Sequence, residues 1–173
     1  MPYTVYPTQY IEEMPLNTYS MSAPPGRTYK YYTGQPLFYF GEGLSLTTFN
    51  LSCSCVTSCN VFPLRVTCKV VNTGEMEGDE VVTVFHVAGT AIRNSALHPV
   101  PLKSLVGFER VTLSAGESTS VDFTLEEDAF ALTNQKGESV VYPGEREIVF
   151  SYANGNVTIH VDTAKTLMRV LYQ

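Results

Sequence analysis

The chain has no tryptophan, and charged residues make up only 16% of its 173 positions. So little charge argues against a free-standing helical protein and is ordinary for a secreted β protein. Basic residues are the scarcer sign, 11 against 17 acidic, giving a net charge of -6 and a pI near 5.0. No basic patch exists to hold phosphates, which argues against nucleic acid and anionic membranes as partners. No apolar run approaches the roughly 18 residues that a spanning helix needs. Met1 leads into Pro-Tyr-Thr-Val-Tyr-Pro, without a basic start or an apolar core. If the chain is exported, its signal therefore lies elsewhere, and the sequence reads as a piece of something longer.

The familiar signatures of catalysis are missing as well. There is no G-x-S-x-G, no phosphate-binding loop, no H-E-x-x-H and no G-x-G-x-x-G. The histidines, His86, His98 and His160, lie far apart. His86 falls in a predicted strand, which favours a structural role, and His98 precedes Pro99 in a loop. Acid pairs occur at Glu12-Glu13 and Glu126-Glu127-Asp128, and four carboxylates crowd Glu75 to Glu80. Sugar hydrolysis needs two carboxyls held roughly 5 to 9 Å apart across a site. Adjacent acids do not argue for that, and acids at a helix start are favourable there in any case. Residues 75–80 lack the alternation of a calcium loop, so a solvated turn is expected. No metal or cofactor is implied.

What the chain does have is an aromatic stretch, Gly26 to Phe49, on which the rest is organised. It carries Tyr29, Tyr31, Tyr32, Phe38, Tyr39, Phe40 and Phe49, broken by Gly34, Pro36, Gly41 and Gly43. Gly41 and Gly43 would allow positive φ or close backbone approach. So many rings need a surface to cover them, either the domain behind or a partner. The tyrosines could also stack on sugar rings. Five prolines in residues 1–25 oppose a long helix there. A short strand at Tyr3 to Tyr6, a helical turn near Thr8 to Glu13 and a strand at Thr28 to Tyr32 are expected.

Beyond Phe49 the pattern changes to short alternating segments between turn signals. Strands are predicted at 47–56, 61–71, 80–87, 103–113, 118–125, 139–142, 145–152 and 157–161, with one helical turn over 126–132. Asn72-Thr73-Gly74, Pro143-Gly144 and Asn154-Gly155 mark turns. This reads as an all-β chain, an immunoglobulin-like or fibronectin type III-like sandwich behind an extended aromatic, Pro-rich segment. The domain division expected is 1–46, 47–162 and a tail at 163–173, where Thr163 to Tyr172 forms a short helix or an ordered tail.

Cys53, Cys55, Cys59 and Cys68 fall within 16 residues, and three pairings are open. Cys53 and Cys55 share one strand face, so a bridge from either to Cys59 or Cys68 across a hairpin is reasonable. The spacing fits zinc poorly and no histidine lies within the cluster, so disulfides or buried thiols are expected. Asn50-Leu51-Ser52 and Asn156-Val157-Thr158 are N-glycosylation sequons. Together these features point to an extracellular or lysosome-like compartment.

The aromatic stretch resembles a hallmark of glycoside hydrolase family 3, the β-glucosidase and β-xylosidase family. There G-R-T-Y-R-Y-Y is followed by P-x-F-x-F-G-x-G-L-S-Y-T-x-F. This chain matches at Gly26 to Tyr29, Tyr31 and Tyr32, then Pro36, Phe38, Phe40, Gly41, Gly43, Leu44, Ser45, Thr47 and Phe49. Lys30, Leu46 and Glu42 depart from the usual residues. Asn72-Thr73-Gly74 with Gly78 to Val82, Leu102 to Val111 and Pro2 to Tyr10 resemble further family motifs, so the likeness covers nearly the whole chain. It implies that the catalytic aspartate and acid/base glutamate lie upstream, in other domains. The chain would then be a non-catalytic C-terminal module, as a fragment or truncated paralogue, whose partners are the catalytic domains. Arg27, Tyr29, Tyr31, Tyr32 and Glu42 become candidates for interdomain or glycan contact, with Arg27 pairing a carboxylate. The alternative is a stand-alone glycan- or protein-binding module using exposed tyrosines.

Overall fold

A computed structural model describes residues 1–163 and 169–172, the last four by backbone alone. Alternation builds the elements. In β2 (Leu64–Asn72), Leu64, Val66, Cys68, Val70 and Asn72 are buried while their neighbours face outward. The same period recurs in β1 (Phe49–Cys55), β3 (Gly78–Ala88), β5 (Ser118–Leu125) and β8 (Glu145–Tyr152). With β4 (Ser104–Leu113) and β9 (Gly155–Asp162), they form two antiparallel sheets, ordered β1-β2-β5 and β4-β3-β8-β9. Phe49, Leu51, Val66, Val70, Val82, Val84, Phe123, Ile148 and Phe150 fill the space between them. Three strands stacked on four is the seven-strand count of an immunoglobulin-like sandwich.

A third, small sheet of order β10-β7-β6 closes one end, from β6 (Leu132–Thr133), β7 (Ser139–Val141) and β10 (Arg169–Tyr172). The C-terminal stretch therefore ends in a strand paired with β7 rather than in a helix; residues 164–168, also within the expected helix or tail, lie outside the described residues. A 3-10 turn at Glu127–Phe130 takes the place expected for one helical turn. The short helix α3 (Thr90–Ser95) has no forecast in the sequence; Arg93 holds it by donating to the carbonyls of Ala88, Pro101 and Leu102.

The cysteines form two bridges, Cys53–Cys68 across the β1/β2 pair and Cys55–Cys59 within the following loop. Asn72, read from sequence only as a turn residue, is a buried knot. Its amide donates to Met76 O (2.7 Å) and Leu113 O (2.9 Å), while Oδ1 accepts from Thr47 Oγ1 and Gly74 N–H.

A second knot lies under the β7 end of the sandwich. Arg146, 1% exposed, has a guanidinium that donates to His86 Nε2 (3.0 Å), Phe130 O (2.9 Å), Thr163 Oγ1 (3.1 Å) and Tyr142 O. No carboxylate faces it in that set, and burial brings its pKa down to about 10. Burial, then the charges of Arg146 and Arg93, push His86 down to about 3. His86 is therefore a neutral acceptor, which fits the structural role expected of it.

The solvated-turn expectation for residues 75–80 fails at its last member. Glu80 is buried, its carboxylate accepts N–H from Val81 and Ala153, and burial raises its pKa. Asp79 stays at the surface, where Thr112 and Arg110 hold its carboxyl below the usual range.

Candidate functional site: the aromatic collar

The N-terminal segment, called the collar below, has little regular structure and meets the sandwich at β3 and at the start of β4. The expected strand at Tyr3 to Tyr6 reduces to one bridge, Val5 with Phe38. The expected helical turn is α1 (Tyr10–Glu13). The expected strand at Thr28 to Tyr32 is instead a helical turn, α2 (Thr28–Tyr31). Alternation suggested two faces, but tertiary contacts override it. Gly26, at φ +88°, turns the chain so tightly that a Cβ would lie 2.0 Å from Tyr31 O. Thr28 then takes φ +58°, uncommon for a β-branched residue, with its N–H fastened to Tyr6 Oη at 2.6 Å.

Two ring clusters give the collar its shape. In the first, Tyr6 stacks on Tyr10 with centroids 3.9 Å apart, and Tyr32 meets both edge-on at 4.9 and 5.3 Å. Tyr10 Oη donates to Gly26 O, tying α1 to the turn before α2. In the second, Tyr29 stacks on Phe40 at 4.3 Å, and both lie against Phe85 on the outer face of β3. Phe85 is thereby buried, and Lys103 Nζ sits 4.2 Å over its ring. Leu102 N–H donates to Lys30 O (2.6 Å) beside it.

The candidate residues sort by role. Tyr29, Tyr31 and Tyr32 are all half-buried. Tyr29 latches the collar to β3, Tyr32 closes the first cluster, and burial raises the pKa of Tyr31. Within the described residues Arg27 is held by backbone carbonyls rather than by a carboxylate. Its Nη2 donates to Pro15 O and Thr18 O, since folding back of the Pro15–Thr18 loop brings carbonyls within reach first. Glu42 is exposed and shapes its own turn, accepting the Tyr39 N–H at 2.7 Å. Gly41 uses the positive φ expected of it (+84°), whereas Gly43 has neither positive φ nor a close neighbour.

The side chains the sequence reading overlooked are the exposed ones. Leu16, Tyr19, Leu44 and Leu46 are between 89 and 101% exposed, and Tyr3, Ile11 and Leu37 are largely so. Only their apolar character in a segment too irregular to bury them could have signalled this. Under the Tyr39–Ser45 loop lies a cleft of about 630 Å³, walled by Phe40, Lys103, Tyr152 and Asn156. Among the described residues, no group of three or more His, Cys, Asp or Glu could hold a metal ion, and no helix is long and apolar enough to cross a membrane.

A strand-built sandwich with an aromatic collar defines the class, and comparison with known proteins agrees. Residues 80–151 match the family described as the fibronectin type III-like domain. The chain is 34% identical to the exo-1,4-beta-xylosidase xlnD of Aspergillus niger over 173 aligned residues, 86% of this chain and 21% of that protein. Against the exo-1,4-beta-xylosidase xlnD of Emericella nidulans it is 32% identical, with the same coverage of 86% and 21%. Among solved structures, it resembles a GH3 exo-beta-xylosidase (XlnD) complexed with a xylobiose aziridine activity-based probe. The TM-score is 0.76 at 28% identity, covering 99% of this chain and 25% of that one. The beta-glucosidase of Kluyveromyces marxianus gives a TM-score of 0.71 at 26% identity, covering 84% and 18%. The chain thus carries a fibronectin type III-like domain. More particularly, it resembles the C-terminal region of glycoside hydrolase family 3 xylosidases, and spans about a fifth of the length of the curated relatives it matches.

Proposed function

We propose that this chain is a non-catalytic accessory module of a family 3 β-xylosidase-like enzyme, buttressing the catalytic domains that act on xylan or related plant polysaccharides. Residues 1–46 form the docking collar, 47–162 the sandwich domain and 163–173 the tail. The observation that carries this reading is the exposed apolar set of residues 1–46, Leu16, Tyr19, Leu44 and Leu46, which are almost wholly in water. Large apolar side chains left in water are the raw material of an interaction site, and each contributes about 1.5–3 kcal/mol when buried. Arg27, Tyr29, Tyr31 and Tyr32 hold the collar in a shape that presents this set, and Glu42 fixes its last turn. The two disulfides support an oxidising compartment, extracellular or lysosome-like.

The test is to add the purified chain to a family 3 xylosidase truncated of its corresponding region. It should raise that enzyme's thermal midpoint while showing no turnover of aryl xylosides or glucosides alone. Turnover by the pure chain would overturn the reading. The outward rings of Tyr3 and Tyr19 favour a second reading, a stand-alone glycan-binding module. That one requires saturable xylo-oligosaccharide binding, lost on Tyr19→Ala.

A further inference from the structure

Two open sheets leave four edge strands, and here they meet in pairs: β4 beside β5 on one side of the sandwich, β1 beside β9 on the other. An edge strand offers free N–H and C=O groups to any other chain, and stable proteins shield it. On the β4 side the collar contributes cover, with Leu105 N–H reaching Tyr29 Oη. The β1/β9 seam is clipped at its two ends, by Phe49 N–H to Asn154 Oδ1 (2.7 Å) and Asp162 N–H to Asn60 Oδ1 (2.9 Å). Both sequons lie between those clips, Asn50-Leu51-Ser52 on β1 and Asn156-Val157-Thr158 on β9.

Their placement on the strands is what an attached glycan requires. Leu51 and Val157 point toward the core, while Asn50, Ser52, Asn156 and Thr158 are all exposed on the outer faces. A sugar on either amide displaces no core side chain. The disulfides support an oxidising compartment, the kind in which asparagine glycosylation takes place. We propose that Asn50 and Asn156 carry N-linked glycans and that the pair flanks and shields the β1/β9 seam against edge-to-edge association. In the modification, asparagine Nδ2 attacks C1 of a polyprenyl-diphosphate-linked oligosaccharide. The C1–N bond forms, the C1–O bond to the diphosphate breaks, the amide gives up one proton and polyprenyl diphosphate leaves. Nothing is oxidised or reduced. Since Asn156 also walls the cleft under the Tyr39–Ser45 loop, its glycan bounds the docking surface on that side.

The full chain, secreted from a eukaryotic host, is weighed intact and then trimmed while folded with an endoglycosidase that leaves one N-acetylglucosamine. Two glycan increments are expected, one lost in N50Q and one in N156Q. In sedimentation velocity, the untrimmed protein should stay monomeric while the trimmed protein shifts to at least twice the mass as concentration rises. Secreted, folded chain with neither asparagine modified would overturn the modification. Trimmed protein that sediments like untrimmed protein at every concentration would overturn the shielding role. Trimming acts on protein already folded, so a folding defect in either variant does not obscure the second readout.

Discussion

The sandwich and the collar bury their apolar residues by different means. Along β2 every second side chain enters the core, so each residue is fixed by neighbours on its own strand and on the sheet opposite. The collar has no such repeat. Its rings meet in two clusters, and Leu16, Tyr19, Leu44 and Leu46 are left in water. The difference teaches that the sandwich rests on its own core, whereas on the proposed reading the outer residues of the collar serve a partner surface. Damage to the sandwich should therefore appear as lost stability of the chain, and damage to the collar's outer residues as lost association.

The largest effect is expected at Arg146. Arg146→Ala leaves His86, Phe130 O and Tyr142 O without their donor inside the protein, and should cost about 3–5 kcal/mol in urea unfolding. If the midpoint barely moves, the knot is not what closes that end of the sandwich. Next comes the Cys53–Cys68 bridge. Replacing both cysteines with alanine should cost about 3 kcal/mol, given the loop it closes.

A third prediction concerns pH. His86 is neutral in the fold down to about 3, while an unfolded histidine takes a proton near 6.5. As pH falls below 6.5 the unfolded state binds the extra proton, so stability is lost toward acid at about 1.4 kcal/mol per pH unit. Glu80 works the other way. Its raised pKa favours the fold below the unfolded carboxyl value, and that gain fades as pH rises through the folded one. Urea midpoints at pH 7 and pH 5 give the histidine's share when the slope is compared with that of a variant lacking the imidazole, because the Glu80 contribution is common to both. His86→Gln, which keeps a hydrogen-bond acceptor and cannot titrate, should flatten the slope there.

Smaller still is the effect of unlatching the collar. Tyr29→Ala removes the ring stacked on Phe40 and should speed proteolytic cleavage within residues 1–46. The sandwich should keep most of its unfolding free energy. Parallel loss of both would mean that the two regions fold as one. Least of all, Leu44→Ser and Leu46→Ser should change the stability of the chain alone by no more than about 0.5 kcal/mol.

Most of the sandwich was legible because burial on one sheet face writes itself as period two. β5 and β8 fall at the predicted residues, and Phe123 and Leu125 of β5 are buried. The pairing of the cysteines was not legible, since all three pairings fit the spacing. It becomes fixed only when β1 and β2 place Cys53 opposite Cys68. Arg146 and Asn72 were missed for a related reason. Partners such as Leu113 O for Asn72, and His86 and Phe130 O for Arg146, lie far off in sequence, and no local pattern announces them. In the collar, the same alternation that served elsewhere misled at Thr28 to Tyr32, where Gly26 and the Tyr6 hydroxyl set the backbone. The importance of the aromatic stretch could be read. Which of its residues face inward could not, because that depends on Phe85 and the Tyr6–Tyr10 stack.

The sharpest test of the docking claim is calorimetric titration of the chain into the catalytic region of a similar family 3 xylosidase lacking its own C-terminal region. The account predicts saturable binding with a negative heat-capacity change, as apolar burial requires, weakened at least tenfold by combining Leu16→Ser, Leu44→Ser and Leu46→Ser. Binding unaffected by that triple change, or no binding by a chain shown to be folded, would contradict it.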